Sequence, residues 1–143
     1  MKTYYIAGFV PEEDGKFSVY FPDIEGCVTW GENLAHATDA AADALRGMLE
    51  YMARTHEALP VPSPLESIRE KVKNIRKTDE LAYPEDTVYQ LVPAPNLDNV
   101  QVRINVSLPK STLAAIDEKA QLLGFTRSGF LVHAAQAYRQ EQG

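Results

Sequence analysis

The chain has 143 residues, 45% of them hydrophobic, with 14 Lys and Arg against 20 Asp and Glu for a formal net charge of −6. That length suits one ordinary domain or two small ones, and the apolar share is enough for a folded core. The opening "MKTYYIAGFV" lacks the apolar run of a secretory signal and no stretch approaches the ~20 apolar residues needed to cross a bilayer, so a soluble cytoplasmic protein is expected.

In chain order, "KTYYIAGFV" and "KFSVYF" are rich in aromatic and β-branched residues and flank the turn-forming "PEEDG", which predicts a β-hairpin. "PDIEG" then turns the chain into a short third strand, "CVTWG". With Asn33 as its N-cap, the spacing of Leu34, Ala37, Ala41, Leu45, Met48, Leu49 and Met52 predicts an amphipathic helix over 34–54 whose Ala-rich face suits close packing on a sheet. Three prolines in "LPVPSPLES" favour extended chain. Within that stretch Ser63 and Glu66 form the pattern of a capping box with Pro64 as first helical residue, opening a weaker helix along Leu65, Ile68, Val72 and Ile75. "AYPEDT" ends it, "VYQLV" reads as a fourth strand, and "PAPNLDN" is the best linker in the chain. The front part is therefore expected to be a small α+β layer with a helix packed on a largely antiparallel sheet.

Splitting the charge at Pro95 is informative. Residues 1–95 carry 9 Lys and Arg and 16 Asp and Glu, a net of −7, whereas residues 96–143 carry 5 and 4. The acidity belongs to the first part and argues nothing against nucleic-acid contact by the second.

In the second part "QVRINVSLP" alternates with a period of two. Val102, Ile104, Val106 and Leu108 point one way, and Gln101, Arg103, Asn105 and Ser107 the other. A helix from about Pro109 to Leu123, a stop at Gly124 and a last helix from about Arg127 to Tyr138 follow. Fewer than 50 residues bury too little for a sound core, so pairing with a second copy is expected. Two copies of the strand make an antiparallel ribbon, with the apolar set against four helices and the polar set outward. Such a ribbon fits the DNA major groove, where Arg103 can bond guanine bidentately and Asn105 or Gln101 can bond adenine. Thr126 as N-cap of the last helix, with Arg127 and Ser128 beside it, offers backbone N–H groups to a phosphate.

Strand, "LP", a helix with "ID", Gly124, "TRS" and an apolar helix, in this order over roughly residues 100–141, closely resemble the ribbon-helix-helix repressors. The stretch "YFPDIEGCVTWGENLAHA" is similar to the "PDLPGCxTxG" segment and following helix of the HicB antitoxin family. Tyr20, Pro22, Asp23, Gly26, Cys27, Thr29 and Gly31 fall on that pattern. Asn33, Ala35 and His36 depart from it, standing where the family usually has Thr and paired Glu, and residues 60–86 match only in general character.

The resemblance implies a partly degenerate ribonuclease-H-like front domain, β-β-β-α-β, over 1–95, and a dimerising β-α-α DNA-binding domain over 96–143. It implies neutralisation of HicA, a small basic toxin that cleaves RNA, and repression of the shared operon, with tail dimers able to associate further on adjacent half-sites. Within the motif, Asp23 and Glu25 are candidates to meet basic toxin residues, and Tyr20 and Trp30 to act as apolar anchors. For Tyr20 and Trp30 burial in the domain's own core is the alternative, and for Asp23 a cap on its own turn.

Catalysis is not expected. Two-metal hydrolysis needs several carboxylates converging on ions ~4 Å apart, whereas Asp14 lies in a turn and Asp39, Asp43 and Glu50 are the wet face of a helix. A repressor whose first domain senses a ligand or metal is the alternative reading. Against it, the single cysteine excludes a multi-cysteine zinc site, and His36, His56, His133 and Cys27 lack paired spacing. No cofactor is expected. The basic "REKVKNIRK" is interrupted by Glu70 and reads as a surface helix, and "NVS" matches a glycosylation acceptor by chance.

Overall fold

The computed structural model describes residues 2–139. Met1 and residues 140–143, the outer ends of the two expected domains, lie outside them. The chain divides into two compact units, one running to Arg103 and one starting at Ile104. The sequence places its linker earlier, at 93–99, but Ala94 and Leu97 pack against the first unit's core. His56 Nε2 also lies 3.2 Å from the carbonyl oxygen of Arg103. These contacts carry the first unit past the prolines.

The first unit is an α+β layer. Strands β1 (Tyr4–Pro11), β2 (Phe17–Tyr20), β3 (Val28–Gly31) and β4 (Val88–Pro93) form one antiparallel sheet in the order β3-β2-β1-β4. The hairpin turn closes through Glu12 N–H donating to Lys16 O at 2.8 Å. β1 is central, so both its faces are buried and it reads as a nearly continuous apolar run. On one face Tyr5, Ala7 and Phe9 join Val19, Phe21, Ile24 and Val92 under helix α1 (Leu34–Arg54). On the other, Ile6 packs with Tyr83 and with Ile68 and Val72 of helix α2 (Leu65–Thr78). The sheet is thus sandwiched between two helices.

Helix α1 spans the expected residues. Asn33 caps it by accepting from His36 N–H at 2.8 Å, and Ala37, Ala41, Leu45 and Leu49, spaced by four, are its buried stripe. Its small residues permit close approach. A Cβ on Gly31 would lie 2.2 Å from the Ala37 backbone nitrogen, so only glycine fits where β3 meets the helix.

The expected capping box at α2 does not form. The helix begins at Leu65 with Pro64 as the flanking residue and no side-chain cap, while Ser63 gives both of its donors to Asp23. The Ser63 N–H, which the box would give to Glu66, goes to the Asp23 carboxylate instead.

At the far edge, Ala94 N–H donates to Thr3 O at 2.8 Å. The alternation of an antiparallel ladder then turns Pro93, which has no N–H, toward the open side of β4.

The second unit contains α3 (Lys110–Leu123) and α4 (Arg127–Ala137), joined through Gly124 at φ 76° in the left-handed region. Among its described residues only Ala120 is buried, and Leu122, Leu123, Leu131, Val132 and Tyr138 are exposed. Residues 101–109 form no paired strand, and Val102, Ile104, Val106 and Leu108 are exposed rather than covered by helices. A single chain supplies no second strand, so no ladder forms.

Candidate functional site

The "PDIEG" turn between β2 and β3 is held from within. Asp23 has a side chain only 1% exposed, and it accepts from Ser63 N–H at 2.7 Å, Ser63 Oγ at 2.8 Å and Lys71 Nζ. Burial raises the Asp23 carboxyl, but the hydrogen bonds from Lys71 and Ser63 outweigh it and hold the group below the usual carboxylate range. Asp23 therefore clips the motif to α2, and its carboxylate is not presented to a partner. The sequence reading that offered Asp23 to basic toxin residues is corrected on this point. Ser63 and Lys71, 40 and 48 residues away, were not legible as its partners. Glu25, by contrast, is exposed.

Cys27 is buried, which pushes its thiol up to about 11 and leaves it unreactive at neutral pH. Tyr20 is half-buried and packs on the α2 side of the sheet, edge-on to Tyr83 with ring centroids 5.7 Å apart. Burial raises Tyr83 strongly, with smaller contributions from Tyr89 and Tyr20. Trp30 is 54% exposed. Lys16 Nζ sits 5.7 Å from its ring centroid and His36 meets it edge-on at 6.4 Å. The His36 ring is itself fixed, with Nδ1 accepting from Glu32 N–H at 3.0 Å.

In the tail, Gln101, Arg103, Asn105 and Ser107 are all exposed, like the apolar residues between them. Thr126 caps α4 as expected, accepting from Gly129 N–H at 3.0 Å, and Ser128 is exposed. Arg127 is not free beside them. Its Nε and a terminal nitrogen donate to the two oxygens of Asp117 at 2.8 and 2.9 Å, a two-bond fork from α4 to α3. The hydrogen bond from Arg127 holds Asp117 below its ordinary range, and the same bond raises Arg127. No helical spacing signals this pair, because Gly124 reverses the chain between its members.

Among the described residues no group of three or more His, Cys, Asp or Glu is placed to hold a metal ion, and no helix is long and apolar enough to cross a membrane. A cleft of ≈ 750 Å³ beside the start of β1 is lined by Lys2, Tyr5, Leu49, Leu59, Leu97 and Asp98, with a single carboxylate among its lining residues.

The architecture is thus an α+β unit and a two-helix unit that leaves most of its apolar residues uncovered. A family model described as "HicB_like antitoxin of bacterial toxin-antitoxin system" matches residues 5–135, across both units. The chain belongs to the HicB-like antitoxin family.

Antitoxin HicB of Escherichia coli (strain K12) is 38% identical over 63 residues, which is 44% of this chain and 46% of that protein. The chain thus spans about half the length of the curated relatives it matches. The crystal structure of the Burkholderia pseudomallei antitoxin HicB aligns with 94% of each chain at 28% identity and a TM-score of 0.55. A toxin-antitoxin complex from Streptococcus pneumoniae aligns with 95% of this chain and 98% of that one at 21% identity and a TM-score of 0.56, a likeness of fold.

Proposed function

We propose that this chain is the antitoxin of a HicAB module. Its first domain, assigned to residues 1–95, binds and neutralises a HicA-like toxin that cleaves mRNA. Its second, over 96–143, forms a homodimer that represses the module's own operon. The chain itself performs no catalysis, and it works in the cytoplasm. Family membership over residues 5–135 supports the antitoxin part.

The observation that carries the repressor part is the exposed, alternating segment 101–108. Val102, Ile104, Val106 and Leu108 have no cover in the single chain. The same is true of much of α3 and α4. A second copy removes both defects at once, because two segments paired antiparallel satisfy each other's backbone groups and bury the apolar set under the four helices. Gln101, Arg103, Asn105 and Ser107 then line the outer face of a ribbon that fits the major groove. Thr126 and Ser128 meet phosphate at the start of α4. Arg127 joins them through whatever part of its fork Asp117 leaves free, which makes it the weakest member of that set.

The test is binding of the full chain to DNA upstream of its own operon. Arg103→Ala is expected to cost about 1–3 kcal/mol of specific affinity, with non-specific binding and dimer mass unchanged. Wild-type affinity in the folded variant would remove Arg103 from the base-reading set. A wild-type chain that is monomeric at micromolar concentration would sink the ribbon.

A further inference from the structure

The first unit has two open sheet edges, and they are not alike. At β4 the outward-facing Pro93 removes a donor from the edge, a device that discourages pairing. β3 is protected only by its shortness, four residues. Val28–Gly31 contains neither a charge nor a proline, and as the outermost strand it carries one line of backbone N–H and C=O groups unpaired within the sheet. Its side chains add an apolar surface. Trp30 and Val28 pair with Ser18 and Tyr20 and so share one face, and they are 54% and 56% exposed.

The ends of β3 are acidic. Glu12, Glu13 and Asp14, in the turn before β2, and Glu32 stand at the Gly31 end of β3, while Glu25 stands at the other, all of them exposed. Glu12 and Trp30 line the same shallow groove with Lys16. Lys16 and His36 are the cationic or titratable nitrogen groups against Trp30. Near β4 the charges are mixed, since Lys73, Arg76 and Lys77 gather with Glu80 at the end of α2, Arg76 acts on Tyr89, and exposed Glu85 and Asp86 precede the strand.

We infer that the β3 edge, centred on Trp30 and Val28, is where the first unit docks a basic partner protein, which adds backbone hydrogen bonds along the strand and packs against the indole. The inference rests on the antitoxin reading and names the face that the toxin covers. A second copy of this chain is the wrong occupant, because β3 against β3 brings two acidic rims together, and like charges in apposition are a strong deterrent to association. Strand addition to an open edge supplies affinity through the main chain, and an exposed Trp supplies the anchor.

The experiment uses the full chain and the small basic toxin of the same operon, stripped from the co-expressed complex in denaturant and refolded. Trp30→Ala and Val28→Lys are each expected to weaken toxin binding by roughly tenfold or more. Glu32→Lys is expected to slow association several-fold at low salt. Leu91→Lys, on exposed β4, is the control and leaves affinity unchanged. Hydrogen exchange on the complex should protect amides of Val28–Gly31. Unchanged affinity in both β3 variants, or protection confined to β4 or α2, would overturn the surface while leaving the antitoxin reading intact. A wild-type chain that fails to bind the toxin would remove both. A fall in the chain's own oligomeric mass in Val28→Lys would assign the edge to a second copy instead.

Discussion

Replacing Asp23 by Ala removes the acceptor that joins the β2–β3 turn to the start of α2. Two hydrogen bonds from Ser63, at 2.7 and 2.8 Å, and the Lys71 ion pair are lost together. Hydrogen bonds to a charged group are worth about 1.5–3 kcal/mol where the donors stay buried. Ser63 is half-buried and its donors regain water, which brings each bond toward ~1 kcal/mol. The Lys71 side chain is 46% exposed, so its pair adds only about 0–1 kcal/mol. The expected loss is about 2–3 kcal/mol, or a Tm lower by roughly 10–20 °C for a unit of this size.

Trp30 is the only tryptophan, so urea unfolding followed by its fluorescence reports on the first unit. The pH dependence has a definite sign. Asp23 is depressed in the folded state, so its stabilisation is complete above the ordinary Asp value of about 3.9 and is lost as pH falls through the lower folded value. Wild type and Asp23→Ala should therefore differ most at neutral pH and converge in acid. Lys71→Met should cost under about 1 kcal/mol. An Asp23→Ala loss below ~0.5 kcal/mol, or a Lys71→Met loss as large as that of Asp23→Ala, would refute the reasoning.

Gly31→Ala forces a methyl to within 2.2 Å of backbone at Ala37, where no side chain can yield, and is expected to destabilise the first unit by about 1–3 kcal/mol in the same urea assay. A neutral result would mean that α1 can slide away from β3. Cys27, with its thiol near 11, should resist a thiol reagent at pH 7.5 in the folded chain and react fully in urea. Rapid native labelling would contradict its burial.

Periodicity determined most of the fold. Apolar spacing by four in α1, the Asn33 cap, alternation in the strands and the Gly124 stop are local signals, each set by the geometry of one element, and they marked β1–β4 and the four helices to within a residue or two, while the strand expected over 101–108 does not form in the single chain. The order and pairing of the strands, and the placing of α1 and α2 on opposite faces, follow from contacts between segments far apart in the chain, which no local pattern carries. The site was less legible. The two faces that alternation assigns to 101–108 are not separated in the single chain, where Gln101, Arg103, Asn105 and Ser107 are exposed alike with the apolar residues between them, because covering one face needs a second strand. The role of Asp23 was not legible, since a carboxylate in a turn looks alike whether it faces water or a distant serine, and only the folded chain brought Ser63 and Lys71 to it. The Asp117–Arg127 fork and the bare β3 edge belong to the same class. The sequence by itself determined the elements, because helix and strand are short-range regularities. Tertiary structure alone decided which polar groups are spent inside the molecule and which are left for a partner, because that depends on what each meets across the fold.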